Sequence, residues 1–203
     1  SVSKNIKDSN KIKYYAQELK SNTYNLTRMN LIMRGILPAN ITIRNGDTLK
    51  TDWPYFDDSD PEMTYNPLYV DAVVSNPPYS QNWDPANKEN NPRFAGYGLA
   101  PKGKADYAFL LHFIKSLKSK GKGAIILPHG VLFRGNAEAE IRKNIIRKGY
   151  FKGIIGLPAN LFYGTGIPAA ILVIDKENAE ARKGIFMIDA SKGFIKDGNK
   201  NRL

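Results

Sequence analysis

The sequence predicts an α/β fold with a doubly wound, mostly parallel sheet, and three observations carry that expectation. Short β-branched apolar runs, several of them bounded by Pro or Gly, recur along the chain. Between them lie segments whose apolar residues recur at spacings of three and four, the period of one helix face. Polar residues cluster just past the runs, at the strand edge where open α/β sheets bind ligands.

Lys11 to Glu18 is expected to form a strand, with a helix from about Thr23 to Met33 that presents Leu26, Met29, Asn30 and Met33 on one face and stops at Gly35. Ile41 to Arg44 reads as a short strand running into Asn45-Gly46-Asp47. Residues 51–69, with three prolines, read as a loop, and Val70 to Ser75 as a buried strand. Ser80 to Lys104 is a second long loop of the kind that is usually functional. A helix is expected over Ala105 to Lys118, with Phe109, Leu110, Phe113, Ile114 and Leu117 on its apolar face, then a strand over Gly123 to Leu127. A helix over Ala137 to Lys148 with a Gly149 stop comes next, followed by strands over Phe151 to Gly156, Ala169 to Asp175 and Gly184 to Asp189. The last strands lack an intervening helix, so one is expected to run antiparallel. The tail from about residue 190 reads as irregular, and Ser1 to Ser9 as the end of a helix.

At 203 residues and 42% hydrophobic, the chain can bury one sizeable core, so one domain is the default. It has no cysteine, which removes disulfides and thiolate metal sites and fits a cytoplasmic protein. His112 and His129 are too few for a histidine-based zinc site and read as structural. No signal-peptide pattern or membrane-length apolar run is present, and no membrane association is expected. The formal net charge of +11 favours a polyanionic partner such as nucleic acid, although Lys115, Lys118, Lys120, Lys122, Lys143, Arg147 and Lys148 also suit solvated helix faces.

The chemistry concentrates at three strand ends. Asn76-Pro77-Pro78-Tyr79 follows the run Val70 to Ser75, and two prolines must end that strand. An Asn side-chain oxygen and a neighbouring carbonyl can both accept protons from one amino group, and Tyr79 offers a flat face to a planar ring. The alternative is a Pro-rich turn whose Tyr merely packs. Gln17-Glu18 ends the first strand, where a carboxylate can bind the two hydroxyls of a ribose or simply face solvent. Asp47-Thr48 follows the second strand, where Asp47 can accept from an adenine amine or stabilise its own turn. His129-Gly130 and Gly164-Thr165-Gly166 read more simply as turns than as phosphate loops.

The chain resembles the modification (methyltransferase) subunit of type I restriction-modification systems. The resemblance rests on Tyr15-Ala16-Gln17-Glu18-Leu19, Thr27-Arg28-Met29-Asn30-Leu31, Asn45-Gly46-Asp47-Thr48-Leu49 and Asn76-Pro77-Pro78-Tyr79. It continues through Ala105-Asp106-Tyr107-Ala108-Phe109-Leu110, Leu127-Pro128-His129-Gly130-Val131-Leu132-Phe133-Arg134-Gly135, Glu140-Ile141-Arg142-Lys143, and the stretch from Gly156 through Phe162 to Pro168. It implies the Rossmann-like fold of S-adenosylmethionine-dependent methyltransferases and transfer of methyl to adenine N6 in double-stranded DNA. It also implies a flipped target base and partnership with specificity and restriction subunits. Asn76, Pro77, Pro78 and Tyr79 are implied as catalytic, and Glu18, Asp47, Thr48 and Asn76 as contacts to S-adenosylmethionine, with no metal.

The family places a strand and a Gly-rich cofactor loop before the segment matched here, and no Gly precedes Gly35. Residues 1–203 are therefore expected to be part of a catalytic domain, weak in cofactor binding and inactive alone. The rival readings are an N-methyltransferase acting on a protein glutamine or an RNA guanine, and a non-catalytic DNA-binding or assembly module.

Overall fold

A computed structural model describes residues 9–50, 67–162 and 165–203. Most of the expected N-terminal helix end and of the loop over 51–69 lies outside the described residues. The chain divides into two compact units, Ser1–Leu68 and Tyr69–Leu203, where length alone suggested one domain. Length bounds the size of a core but not where contacts gather.

In the first unit, β1 (Tyr14–Glu18) and β2 (Ile41–Asn45) form a parallel two-stranded sheet, with Tyr14 opposite Ile41 and Glu18 opposite Asn45. β1 starts later than expected because Ser9–Lys11 forms a 3-10 turn. The crossover between the strands is α1 (Ser21–Met33). Gly35, at φ +76°, ends it as expected, with its N–H on the Ile32 carbonyl. The anticipated apolar stripe exists but stays exposed: Leu26 is 56%, Met29 57% and Met33 81% accessible. Among the described residues of this unit only Ile36 and Leu49 are buried.

The second unit holds a five-stranded sheet in the order β3-β4-β6-β5-β7. Its strands are β3 (Val70–Ser75), β4 (Leu117–Pro128), β5 (Phe151–Gly156), β6 (Ala169–Asp175) and β7 (Phe186–Asp189). β3 runs parallel to β4 and β5 parallel to β7, while β6 is antiparallel to both β4 and β5. The expected antiparallel strand is therefore β6, inserted within the sheet. The fold is the mostly parallel α/β type that the periodicities predicted.

The largest boundary difference lies where α2 (Asp106–Ser116) meets β4: the helix ends earlier than expected, and the strand starts at once, at Leu117. The Ser116 hydroxyl donates back to the His112 carbonyl, and the pairing of β4 with β3 jumps in register between Val70 and Ala72. The tail is not irregular: β8 (Ile195–Asp197) and β9 (Lys200–Arg202) form a hairpin around Gly198-Asn199. α2 is buried nearly all round, through Tyr107, Leu110, Leu111, Phe113 and Ile114. α3 (Asn136–Arg147) is amphipathic, buries Ile141 and Ile145, and ends at Gly149. Among the described residues no helix is long and apolar enough to cross a membrane.

Candidate functional site

The parallel pairing of β3 with β4 runs to Ser75, opposite Ile125, and stops where Pro77 and Pro78 remove two backbone donors. The turn that follows buries Pro77 and leaves Asn76 exposed and Tyr79 half-buried. The Tyr79 hydroxyl lies 3.5 Å from Asn76 Oδ1, at the outer limit of a hydrogen bond, so the Asn76 oxygen keeps accepting capacity for another donor. Burial, and then the Asp106 carboxylate, raise the Tyr79 hydroxyl above its usual pKa, which keeps it protonated.

Phe162 meets Tyr79 edge-on, with ring centroids 6.2 Å apart and planes at 89°. It belongs to the loop that joins the antiparallel pair β5 and β6. That loop is closed at its base by the Leu157 N–H on the Ala169 carbonyl, and the His129 N–H donates to the Pro168 carbonyl beside it. The sequence reading quoted Phe162 within a motif but gave it no role. The aromatic pair became visible only once β6 was seen to return beside β5.

Behind the turn lies a buried charged cluster. Asp106, at the first residue of α2, accepts the Ser80 N–H on Oδ1 at 2.8 Å and the Arg134 Nη2 on Oδ2. Arg134 Nε donates to Glu138 in the first turn of α3. Asp106 and Glu138 are 0% and 2% exposed. Burial pushes the Glu138 carboxyl up against the opposing pull of Arg134, and its second oxygen is buried with no hydrogen-bond partner. Gly130 leaves room for the guanidinium: a Cβ there would lie 3.2 Å from Arg134 Nη1.

The first unit carries the other candidates. Glu18 and Asn45 are opposite each other at the ends of β1 and β2, and Asn45 Nδ2 donates to the carbonyls of Glu18 and Leu19. This ties the two strand ends together. The half-buried Glu18 accepts the Lys20 N–H on Oε1 at 2.9 Å. Asp47 Oδ1 accepts the Leu49 N–H at 2.9 Å, so it performs the turn-stabilising role weighed above. Thr48 is half-buried in the same turn. Glu18, Asp47 and Thr48 thus share one edge of one small sheet, and Asn76 to Tyr79 belong to the other unit.

His129 and Thr165 both take part in turns. His129 opens a 3-10 turn and stacks edge-on to Phe133 at 5.8 Å. Thr165 Oγ1 accepts the Ile167 N–H, as a turn residue does. Part of the basic excess is paired: Lys118 with Asp71, Lys122 with Glu177, Lys143 with Glu140 and Lys152 with Asp175.

Three comparisons place this geometry among known proteins. The family model described as N-6 DNA Methylase matches residues 1–203. The type I restriction enzyme MpnII methylase subunit of Mycoplasma pneumoniae is 41% identical over 201 residues, 95% of this chain and 35% of that protein. The MjaIX methylase subunit of Methanocaldococcus jannaschii is 35% identical over 93% of this chain and 32% of its own length. A solved type I restriction-modification methyltransferase subunit from Streptococcus thermophilus superposes with a TM-score of 0.84 at 45% identity, covering 95% of this chain and 39% of that one. The chain spans about a third of the length of the curated relatives it matches. The Asn-Pro-Pro-Tyr turn at the end of β3, on a sheet of this topology, is the feature to which these matches give a context, and the chain belongs to the N-6 DNA methylase family.

Proposed function

We propose that this chain carries the catalytic turn of an adenine-N6 DNA methyltransferase, the modification subunit of a type I restriction-modification system working with specificity and restriction subunits. The observation that carries the reading is Asn76, exposed at the carboxyl end of β3 beside the Tyr79–Phe162 pair.

Adenine N6 is a poor nucleophile because its lone pair is delocalised into the ring. The Asn76 side-chain oxygen and the Pro77 carbonyl would accept its two protons and draw the nitrogen toward tetrahedral geometry. That frees the lone pair and aims it. Orientation of this kind is worth about 7–11 kcal/mol at best. Extruding the base from the duplex costs a few kcal/mol, and stacking on Tyr79 returns about 1–3 kcal/mol. Phe162 would close the slot from the side, so that a flat heterocycle fits and a flexible amine does not.

The cofactor of this reaction is S-adenosylmethionine, which when bound supplies an activated methyl group. The donor set at the end of the first unit's sheet fits its nucleoside. A carboxylate has about four lone-pair sites, so Glu18 retains capacity for a pair of ribose hydroxyls beyond its bond to Lys20 N–H. Asp47 and Thr48 would face the adenine.

The test is to assemble the full-length enzyme with its specificity subunit, incubate the complex with cofactor, duplex DNA, RNA and protein, digest each and identify the methylated species by mass spectrometry. N6-methyladenine is the expected product. Methyl on a protein glutamine or an RNA guanine, with none on DNA, would overturn the reading.

A further inference from the structure

Resting on that reading, we propose that Arg134 is a positioning residue for the target-base slot, acting through Asp106 on the Tyr79–Ser80 end of the catalytic turn. The path is short and fully hydrogen-bonded. Arg134 holds one oxygen of Asp106, the other oxygen of Asp106 takes the Ser80 N–H, and Ser80 directly follows Tyr79.

Ser80 has φ +50°, a left-handed conformation uncommon for a serine. The Asp106 oxygen holds its N–H at 2.8 Å. Asp106 is 0% exposed, so its carboxylate has no water to fall back on and stays aimed only while Arg134 neutralises it. Arg134 is fixed in turn by its second bond, to Glu138, and by the space above Gly130. Its planar fork reaches both carboxylates, which lie in the first turns of α2 and α3, and a lysine cannot reproduce that geometry. A buried ion cluster is seldom the most stabilising way to fill a core. What this one does is couple two helix starts to the backbone beside the stacking ring.

The experiment uses the full-length enzyme assembled with its specificity subunit, carrying Arg134→Gln or Arg134→Lys, each with its melting midpoint, S-adenosylmethionine affinity, kcat and KM for DNA measured. A duplex carrying 2-aminopurine at the target position reports stacking of the extruded base. Arg134→Gln is expected to lower kcat about ten- to a hundredfold, the worth of a charge-assisted hydrogen bond. Cofactor affinity should stay within about twofold, and the 2-aminopurine should be extruded but less quenched. Arg134→Lys, which keeps a cation beside the two buried carboxylates but not the fork that bonds both, should fold and lose about tenfold. If Arg134→Gln does not fold, Arg134→Lys carries the test alone. Wild-type kcat and quenching in a folded Arg134→Lys protein, or a rate loss that merely follows melting midpoint and cofactor affinity, would overturn the assignment. A wild-type enzyme that makes no N6-methyladenine would overturn the functional reading instead, and this inference with it.

Discussion

The two units of this chain present their polar groups on very different supports. In Tyr69–Leu203 the proposed catalytic turn ends β3, an edge strand that buries none of its residues although a buried strand was expected, on a five-stranded sheet backed by an α2 buried almost all round. In Ser1–Leu68 the candidate nucleoside ligands end a two-stranded sheet whose crossover helix buries no residue. A two-stranded sheet supplies little stability of its own. On the proposed reading, the groups beside the reacting atom rest on the unit with the larger buried core and those for the cofactor's nucleoside on the one with the smaller. Substitutions in the second unit should therefore change rate, and those in the first should change affinity.

The sharpest way to break that division is Asn76→Ala in the full-length enzyme. Transfer should fall about a thousandfold, the upper range for losing a group that acts on the reacting atom, while calorimetry shows cofactor affinity changed less than about tenfold. A comparable loss of affinity would erase the distinction between the units. Glu18→Ala and Asp47→Ala test the other side. Each should weaken S-adenosylmethionine about ten- to a hundredfold by titration, as expected for a hydrogen bond to a charged group, with kcat at saturating cofactor nearly unchanged. Asp47 carries the smaller expectation, because its Oδ1 also holds the Leu49 N–H.

A pH measurement separates the units by stability. Burial, and then the charge of Arg93, lower His112 in α2 to a pKa of about 3. An unfolded histidine titrates near 6.5. The folded pKa is the lower one, so the unfolded chain binds the extra proton and stability is lost as pH falls from about 6.5 toward 3. Between pH 7 and pH 5 the second unit should lose about 2 kcal/mol in urea unfolding, and His112→Gln should remove that slope. A slope that persists in His112→Gln would assign it to other groups. The smallest effect is expected of Tyr79→Phe. Its hydroxyl contact to Asn76 is long at 3.5 Å, so kcat should stay within about threefold, whereas Tyr79→Ala, which removes the stacking face, should lose about ten- to a hundredfold. Equal losses from the two variants would show that the hydroxyl, and not the ring, is used.

The parts legible in the sequence were those set by local chemistry. β3, β5 and β6 start and stop where the apolar runs do, because Pro or Gly bounds each one. The Asn76–Tyr79 turn was legible for the same reason. The start of β4 was not. Leu117 continues the apolar face of α2 in sequence, yet the helix stops at Ser116 and the exposed Lys118 and Lys120 belong to a strand. The β8–β9 hairpin was missed because it buries none of its residues, which leaves no periodic signal. The site residues that escaped notice act across the chain. Asp106 and Arg134 are 28 residues apart, and Phe162 meets Tyr79 only because of how β6 returns. No pattern read along the sequence reports such pairings.

That return has a consequence for how such a protein can diversify. A strand that follows its neighbour in parallel must be reached by a long crossover, so changing the connection disturbs the packing of a whole layer. β5 and β6 are antiparallel neighbours, and the segment between Gly156 and Ala169 leaves and re-enters the sheet at the same edge. Its base is pinned by Leu157 and Ala169. Residues can be added to or removed from its tip at a closure cost that grows only slowly with length, although Lys200 and Asn201 of β9 hold the carbonyls of Ala159, Asn160, Phe162 and Thr165 and would have to follow any change. The proposed slot beside Tyr79 thus has a wall, carried by Phe162, whose position is set jointly by this loop and by the β9 residues bonded to it.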